Sequence, residues 1–280
     1  MKTNSSPKND DTDKHQVSVA CNLERLSIAD AAVATNHEFF NNPEPIFDRS
    51  EFFDIAYHGY EGDVNFYSGR ATSGDVLYLG SGTGRIFNKI WQLNRDVIGV
   101  DKSKSMISSL MRKNPCLKNG QIIEGDVLDL EFPGGSYDTI IAPYSFLPFF
   151  DPTNIEKLLR KIHSWLKPQG SFFTDIFSPF TNPPFNQTTE LERSGTKGDL
   201  SYKIYNHYDH FSQHLTEITC IHNGSSHHDF EMNMYFYYPN ELRRLIEESN
   251  LRVVDMWGDF LKKTAPSITS KVFVFHIKKP

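Results

Sequence analysis

Val76-Leu-Tyr-Leu-Gly-Ser-Gly-Thr-Gly84 decides how this chain is read. An apolar run that breaks into alternate glycines is the pattern of a buried strand turning sharply into a helix. Working outward, Ile86, Ile90 and Leu93 recur at helical spacing, and Val97-Ile-Gly-Val100 is the next strand, stopping at Asp101. Ser103 is placed to cap a helix with a buried stripe of Met106, Ile107, Leu110 and Met111. Gln121-Ile-Ile-Glu124 and Asp138-Thr-Ile-Ile-Ala142 read as further strands. Thr153-Asn-Ile-Glu156 has the form of a capping box, followed by Ile155, Leu158, Leu159, Ile162 and Leu166 at helical spacing until Pro168-Gln-Gly170. Ser171 to Phe177 is a fifth strand. Strands alternating with helices imply a doubly wound α/β fold, its parallel sheet covered on both faces.

The rhythm breaks after Ser178. Pro179 to Gly198 reads as a loop, and Leu200–Asp209, His214–His222 and Glu231–Tyr238 read as an antiparallel β-rich insertion. A helix near Asn240–Ser249, with Leu242, Leu245 and Ile246 inward, and strands near Leu251–Met256 and Lys271–Ile277 return to the first pattern. The expected organisation is a disordered or loosely helical leader over 1–45, a core over 46–178, an insertion covering the substrate site over 179–238, and the rest of the core over 239–280.

A chain of 280 residues with 38% apolar and 13% aromatic residues buries a sizeable core, as one large domain or one domain with an elaborated lid. Its 29 Lys and Arg against 35 Asp and Glu give a net charge of −6, which repels a nucleic-acid backbone in the mean field. Cys21, Cys116 and Cys220 are widely spaced and suit a reducing compartment; neither a disulfide framework nor a metal site follows from them. The most apolar stretch, Tyr137 to Phe150, is short of a membrane span and carries Pro143 and Pro148. The amino-terminal segment has no apolar core of a secretory signal, so a cytoplasmic protein with no membrane partner is expected.

A glycine-rich turn from strand to helix offers bare backbone N–H groups to a ligand. Dinucleotide sites want G-x-G-x-x-G, but here Arg85 occupies the third glycine position, which weakens a nicotinamide reading. The ordered series Val76–Gly84, Val97-Ile-Gly-Val-Asp101, Glu124-Gly-Asp-Val127, Tyr137–Ala142 and Leu166-Lys-Pro-Gln-Gly-Ser-Phe-Phe173 resembles the class I S-adenosylmethionine-dependent methyltransferases. The resemblance covers about Asp75 to Asp175. It implies a mostly parallel, seven-stranded Rossmann-like sheet with an antiparallel last strand, S-adenosyl-L-methionine as cofactor, and methyl transfer as the activity. Cofactor contacts would come from Gly80, Ser81, Gly82, Gly84, Asp101 (ribose hydroxyls), Lys102, Met106, Asp126 (adenine amino group), Val127 and Ala142. Taken alone, Asp101 reads equally well as a turn or cap residue. The family carries Glu or Asp two residues before the first glycine, where this chain has Tyr78.

Phe52-Phe-Asp-Ile-Ala-Tyr57, Asp63-Val-Asn-Phe-Tyr67 and Arg70 resemble the amino-terminal helices of small-molecule N-methyltransferases of the glycine/sarcosine and aminosugar types. By that resemblance Tyr57 and Tyr67 close over the cofactor and Arg70 pairs with its carboxylate. A sulfonium is stabilised by aromatic faces, and an Arg fork fits a carboxylate. Catalytic candidates are Tyr57, Tyr144 and His207, with His207 and Asp209 on one strand face and His210 on the other. Ala142-Pro-Tyr144 lacks the polar residue and second proline of enzymes that methylate nucleobase amines. The expected acceptor is therefore a small molecule, at an amine nitrogen, with no nucleic-acid partner. An O-methyltransferase, in which His207 or a neighbour deprotonates a hydroxyl, and a non-catalytic protein of the same fold are the alternatives. Oligomeric state is open, a homodimer included.

Overall fold

The computed structural model describes residues 49–118, 120–180 and 189–280; the expected leader over 1–45 lies outside them. Helices α1 (Arg49–Ala56) and α2 (Asp63–Ser68) lead into β1 (Val76–Leu79), α3 (Phe87–Leu93), β2 (Val97–Asp101), α4 (Lys104–Lys113), β3 (Ile122–Glu124) and β4 (Tyr137–Ala142). A 3₁₀ turn (Leu147–Phe149), α5 (Pro152–Trp165) and β5 (Leu166–Phe177) follow. Then come β6 (Thr189–Lys197), β7 (Leu200–Asp209), β8 (His214–Asn223), β9 (Ser226–Tyr235), α6 (Pro239–Glu248), β10 (Arg252–Trp257) and β11 (Val272–Lys278).

The main sheet has seven strands in the order β10-β11-β5-β4-β1-β2-β3. β1 is parallel to both β2 and β4, and β11 runs antiparallel to its neighbours β5 and β10. The chain winds outward from β1 to β3 and then returns to the other side of β1 with β4. This reversal opens a crevice beyond the carboxyl ends of β1 and β4, where open α/β sheets bind ligands. Strand alternation divides the core. Leu77 and Leu79 face a layer with Ile155, Leu158, Ile162 and Trp165 of α5 and Leu242 and Leu245 of α6. Val76 and Tyr78 face the opposite layer with Phe66 and Tyr67 of α2 and Phe87 and Ile90 of α3.

Ser103 caps α4 as the sequence suggests, its hydroxyl accepting from the Met106 N–H at 3.4 Å. Four local readings change, the first being that α5 ends at Trp165 and β5 begins at Leu166, so Pro168-Gln-Gly170 lies within the strand and not at a helix end. Leu93 is exposed, because α3 has only two turns and its last residue points off the sheet. α5 starts at Asp151, two residues before the expected box: the Asp151 carboxylate accepts from Asn154 N–H at 2.8 Å, and Pro152 supplies the preset first turn. The segment read as a loop up to Gly198 contains β6, the edge strand of a separate four-stranded antiparallel sheet ordered β6-β7-β8-β9. An edge strand draws its ladder from one neighbour, so its polar sequence shows no apolar alternation. The inner face of this second sheet, with Leu200, Ile204, Tyr208, Leu215, Ile221, Phe230 and Met232, packs on Phe52 and Ala56 of α1 and on Tyr57 just after it.

Replacing Asp151 by Ala is expected to cost about 1 kcal/mol of stability, while Thr153→Ala leaves it unchanged. Urea titration of the two variants beside the parent checks this, and a loss confined to Thr153→Ala would return the cap to Thr153.

Candidate active site

The glycine loop is pinned from the next strand. Gly80 and Ser81 N–H both donate to the Val100 carbonyl, at 2.8 and 2.9 Å. Gly82 N–H donates to Asp101 Oδ2 at 2.7 Å, and Ser103 N–H to Asp101 Oδ1 at 2.9 Å. Desolvation pushes the Asp101 carboxyl above the usual carboxylate range, against the pull of those two N–H groups. The Lys102 N–H acts on the same carboxylate, so three of its roughly four acceptor positions are taken and one is left for a ligand hydroxyl. Gly80 and Gly82 both have left-handed backbone, at φ 71° and 52°. A Cβ on Gly80 would strike the Phe146 ring, whereas one on Gly82 would meet nothing within 4 Å and project into open space. Ser81 is buried and its hydroxyl has no partner. Beside the loop, Asp126 accepts from Leu128 N–H at 2.9 Å and lies 3.6 Å from the Lys102 ammonium. Val127 is buried and Met106 is half-buried in the first turn of α4.

Two buried carboxylates organise the far wall. Asp175, near the end of β5 and without exposed surface, accepts from Tyr144 N–H at 2.7 Å, from Ser145 N–H at 2.9 Å and from the Tyr67 hydroxyl. Tyr144 and Ser145 are consecutive left-handed residues at φ 57° and 54°, a strained turn that these bonds hold. Burial pushes the Asp175 carboxyl up to about 6, although its donors pull it down. Asp63, from α2, accepts both guanidinium arms of Arg85 at 2.9 and 2.6 Å. The Arg85 guanidinium lies 5.5 Å from the Tyr144 ring centre. On the amino-terminal side, Thr83 donates to Asp54 of α1 at 2.6 Å, and Lys113 pairs with the same carboxylate.

Where α1 meets the second sheet, the Tyr57 hydroxyl donates to Glu217 Oε1. Burial, and then the Glu217 charge, hold that hydroxyl well above the usual tyrosine range. Arg193 lies 4.5 Å over the Tyr57 ring and 3.5 Å from Glu217 Oε2. The Tyr57 ring stands edge-on to Tyr144 at 6.5 Å, and both Arg193 and Glu217 act electrostatically on the Tyr144 hydroxyl.

The structure thus gathers Gly80, Ser81, Gly82, Gly84 and Asp101 in one loop, with Lys102, Met106, Asp126 and Val127 alongside. Tyr57 and Tyr144 meet across the mouth. Ala142 is buried at the end of β4, its carbonyl taking the Thr174 hydroxyl at 2.7 Å. Tyr67 stays in the core and touches the site through Asp175. Arg70 is elsewhere: its guanidinium lies 3.5 Å over Phe66 and 5.3 Å over Phe173, on the β5 side of the sheet, because the short α2 turns it back along its own face. His207 alternates with the inward-facing Asn206 and Tyr208, so it lies on the opposite face of β7 from Glu217 and Tyr57. Asp54, Asp63, Arg85, Asp175, Arg193 and Glu217 were absent from the sequence-based candidates. Asp175 and Glu217 carried a signal, each being a carboxylate on the inward phase of an apolar strand. Among the described residues, no group of three or more His, Cys, Asp or Glu is disposed to hold a metal, and no helix is long and apolar enough to cross a membrane.

Residues 76–170 match the methyltransferase domain family. An uncharacterized methyltransferase of Bacillus mycoides is 41% identical over 73 residues, 26% of this chain and 33% of that relative. The match therefore spans about a third of the length of such curated relatives. The CcbJ methyltransferase from Streptomyces caelestis superposes with a TM-score of 0.68 at 20% identity, covering 85% of this chain and 100% of that one. The structure of CalS10 with S-adenosylmethionine bound, an amino pentose methyltransferase from Micromonospora echinaspora, superposes with 0.63 at 11% identity, covering 85% and 99%. The fold is that of the class I methyltransferases, and residues 76–170 form a methyltransferase domain.

The raised value of Asp175 has a stability consequence with a definite sign. Its carboxyl binds a proton more readily folded (about 6) than unfolded (3.8), so protonation favours the folded state. As pH falls from about 7 to about 4.5, the parent should gain stability relative to Asp175→Asn by up to about 1.4 kcal/mol per pH unit. Melting temperatures of both proteins across that range report it; a constant difference would show that Asp175 does not titrate there.

Proposed function

We propose that this protein is an S-adenosylmethionine-dependent methyltransferase acting on a small molecule at an amine nitrogen. The observation that carries the reading is the glycine loop at the switch point of the sheet. It has a left-handed Gly82 open to space, an orphaned buried Ser81 hydroxyl, and an Asp101 carboxylate with an acceptor position to spare. These features suit an extended polar ligand with hydroxyl groups, as the cofactor's ribose and methionine parts are. Bound there, the cofactor supplies an electrophilic methyl group on a sulfonium.

The chain's own residues would do the rest. Gly80 to Gly84 let the backbone approach the methionine portion, Asp101 accepts from a ribose hydroxyl, and Asp126 with Val127 borders the adenine. Arg85, from the loop itself and already paired with Asp63, would be the cation available to the cofactor carboxylate, since Arg70 lies over Phe66. The face of Tyr144 offers a negative quadrupole to the sulfonium, whereas the Tyr57 ring, sandwiched between Phe53 at 4.4 Å and Arg193 at 4.5 Å, presents its edge. The two tyrosine rings, together with the second sheet, exclude water and align the acceptor; such positioning is worth up to roughly 7–11 kcal/mol of barrier in favourable cases. The net charge of −6 favours a small acceptor over a nucleic acid, and a cytoplasmic location belongs to the same proposal.

Isothermal titration with S-adenosylmethionine and with S-adenosylhomocysteine tests the reading. Both are expected to bind, and Asp101→Ala to weaken both by about ten- to a hundredfold while the protein stays folded by circular dichroism. Absence of heat with either ligand would overturn it.

A further inference from the structure

We infer that Glu217 is the residue that receives the acceptor's amine and takes its proton, an inference that rests on the methyltransferase reading. Glu217 sits on the inward phase of β8, buried among apolar neighbours. Tyr57 just after α1, Arg193 of β6, Asn206 of β7 and Tyr144 after β4 all converge on it. Thr219 is next on its own face.

A purely structural ion pair would satisfy its polar atoms, since each one buried without a partner costs about 1–3 kcal/mol. This cluster does not. Asn206, paired directly opposite Glu217 in the β7–β8 ladder, is buried; its amide nitrogen donates to Tyr208 at 3.2 Å, but its Oδ1 accepts from nothing. Arg193 approaches Glu217 through one arm at 3.5 Å, and its buried Nε–H has no partner. An orphaned acceptor beside a carboxylate calls for a ligand rich in N–H donors; the orphaned Arg193 donor calls for an oxygen on the same molecule. A protonated amine carrying a hydroxyl or ether oxygen answers both.

A chain of contacts links the cluster to the glycine loop. Glu217 bonds Tyr57, Tyr57 meets Tyr144, and Tyr144 meets Arg85 of the glycine loop. An ammonium nitrogen has no lone pair to give. Proton transfer breaks one N–H bond, leaves its electron pair on nitrogen and forms an O–H bond on Glu217. That pair then forms the new carbon–nitrogen bond, while the carbon–sulfur pair stays on sulfur. General-base help of this kind contributes about 10²–10⁴ in rate.

The test uses the full chain loaded with S-adenosylhomocysteine, titrated calorimetrically with ethanolamine, glucosamine and benzylamine and with ethylene glycol, glucose and benzyl alcohol. The amines should bind and the alcohols should not. Glu217→Gln should weaken the amines at least tenfold and leave S-adenosylhomocysteine within twofold. With radiolabelled S-adenosylmethionine and the tightest amine, Glu217→Gln should lose about a hundredfold in kcat/KM at pH 7 and recover most of it near pH 10, where the amine is already neutral. Asn206→Leu is a second variant in case Glu217→Gln folds poorly. It should raise KM for the amine severalfold with an unchanged or higher melting temperature, because it removes an orphaned acceptor. Unaltered amine binding in both variants, preference for the alcohols, or no amine binding to the loaded protein would each overturn the assignment. If S-adenosylhomocysteine itself fails to bind, the underlying reading falls and takes the assignment with it.

Discussion

A carboxylate with no exposed surface accepts four hydrogen bonds from two separate elements, and the mouth of the crevice takes its shape from it. Asp175 joins α2, through Tyr67, to the turn after β4, through the backbone of Tyr144 and Ser145. Burying such a charge costs several kcal/mol unless donors replace its water. Left-handed backbone at two successive non-glycine residues costs about 1–3 kcal/mol each. The two costs are met by the same bonds: the turn gives up its preferred conformation to present the N–H groups that the carboxylate requires. Ser145 closes the arrangement by accepting from Phe177 N–H at 2.8 Å. The Tyr144 ring is therefore presented by a stiff turn, and a stiff wall is what alignment of two reactants needs.

Helix α1 couples the two halves of the site. One end of its polar face reaches the glycine loop, where Asp54 takes the Thr83 hydroxyl. Three residues on, Tyr57 reaches the second sheet and Glu217. Phe52 stands edge-on against Tyr202 and Phe230, at 5.3 and 5.6 Å, so the helix is fixed by packing on the sheet that carries the acidic residue. Burial of such rings is worth about 1.5–3 kcal/mol each. Loop, helix and insertion thus form one connected wall, and a disturbance at any of the three displaces the Tyr57–Tyr144 pair.

The parallel sheet and its glycine loop were legible because their determinants are local: apolar runs, glycines where left-handed backbone is required, and an acid closing the second strand. Asp101 was legible as a residue of the loop, and the structure shows why it also reads as a cap: its two oxygens bind Gly82 on one side and Ser103 on the other. The start of α5 was misplaced because Thr153 and Asp151 both satisfy a capping pattern, and only Pro152 breaks the tie. β6 was missed because an edge strand needs no apolar phase. His207 drew attention as a titratable residue in a strand, yet a period of two decides its face, and that phase is fixed by the apolar residues Ile204 and Tyr208 rather than by the histidine. Glu217 lies 160 residues from Tyr57, so no spacing rule joins them. Its one local mark was a charge among Leu215, Thr219 and Ile221.

Tyr78 is the sharpest departure from the family pattern, and its surroundings give it a physical reason. Its buried ring stands edge-on to Phe87, and its hydroxyl feels Asp63, Asp101 and Asp175 together with a single cation, Arg85. Burial pushes that hydroxyl far above the usual tyrosine range, so it stays neutral. A carboxylate at this position would be a fourth acid opposite one guanidinium, in a desolvated layer where like charges repel strongly. Either it or a neighbour would have to take up a proton, and Asp175, already pushed up to about 6, is the first in line. A protonated Asp175 would hold the Tyr144 and Ser145 N–H groups less tightly, and the strained turn would loosen. The neutral phenol avoids that conflict. The negative field at the loop is then supplied from α2, β2 and β5 instead of β1.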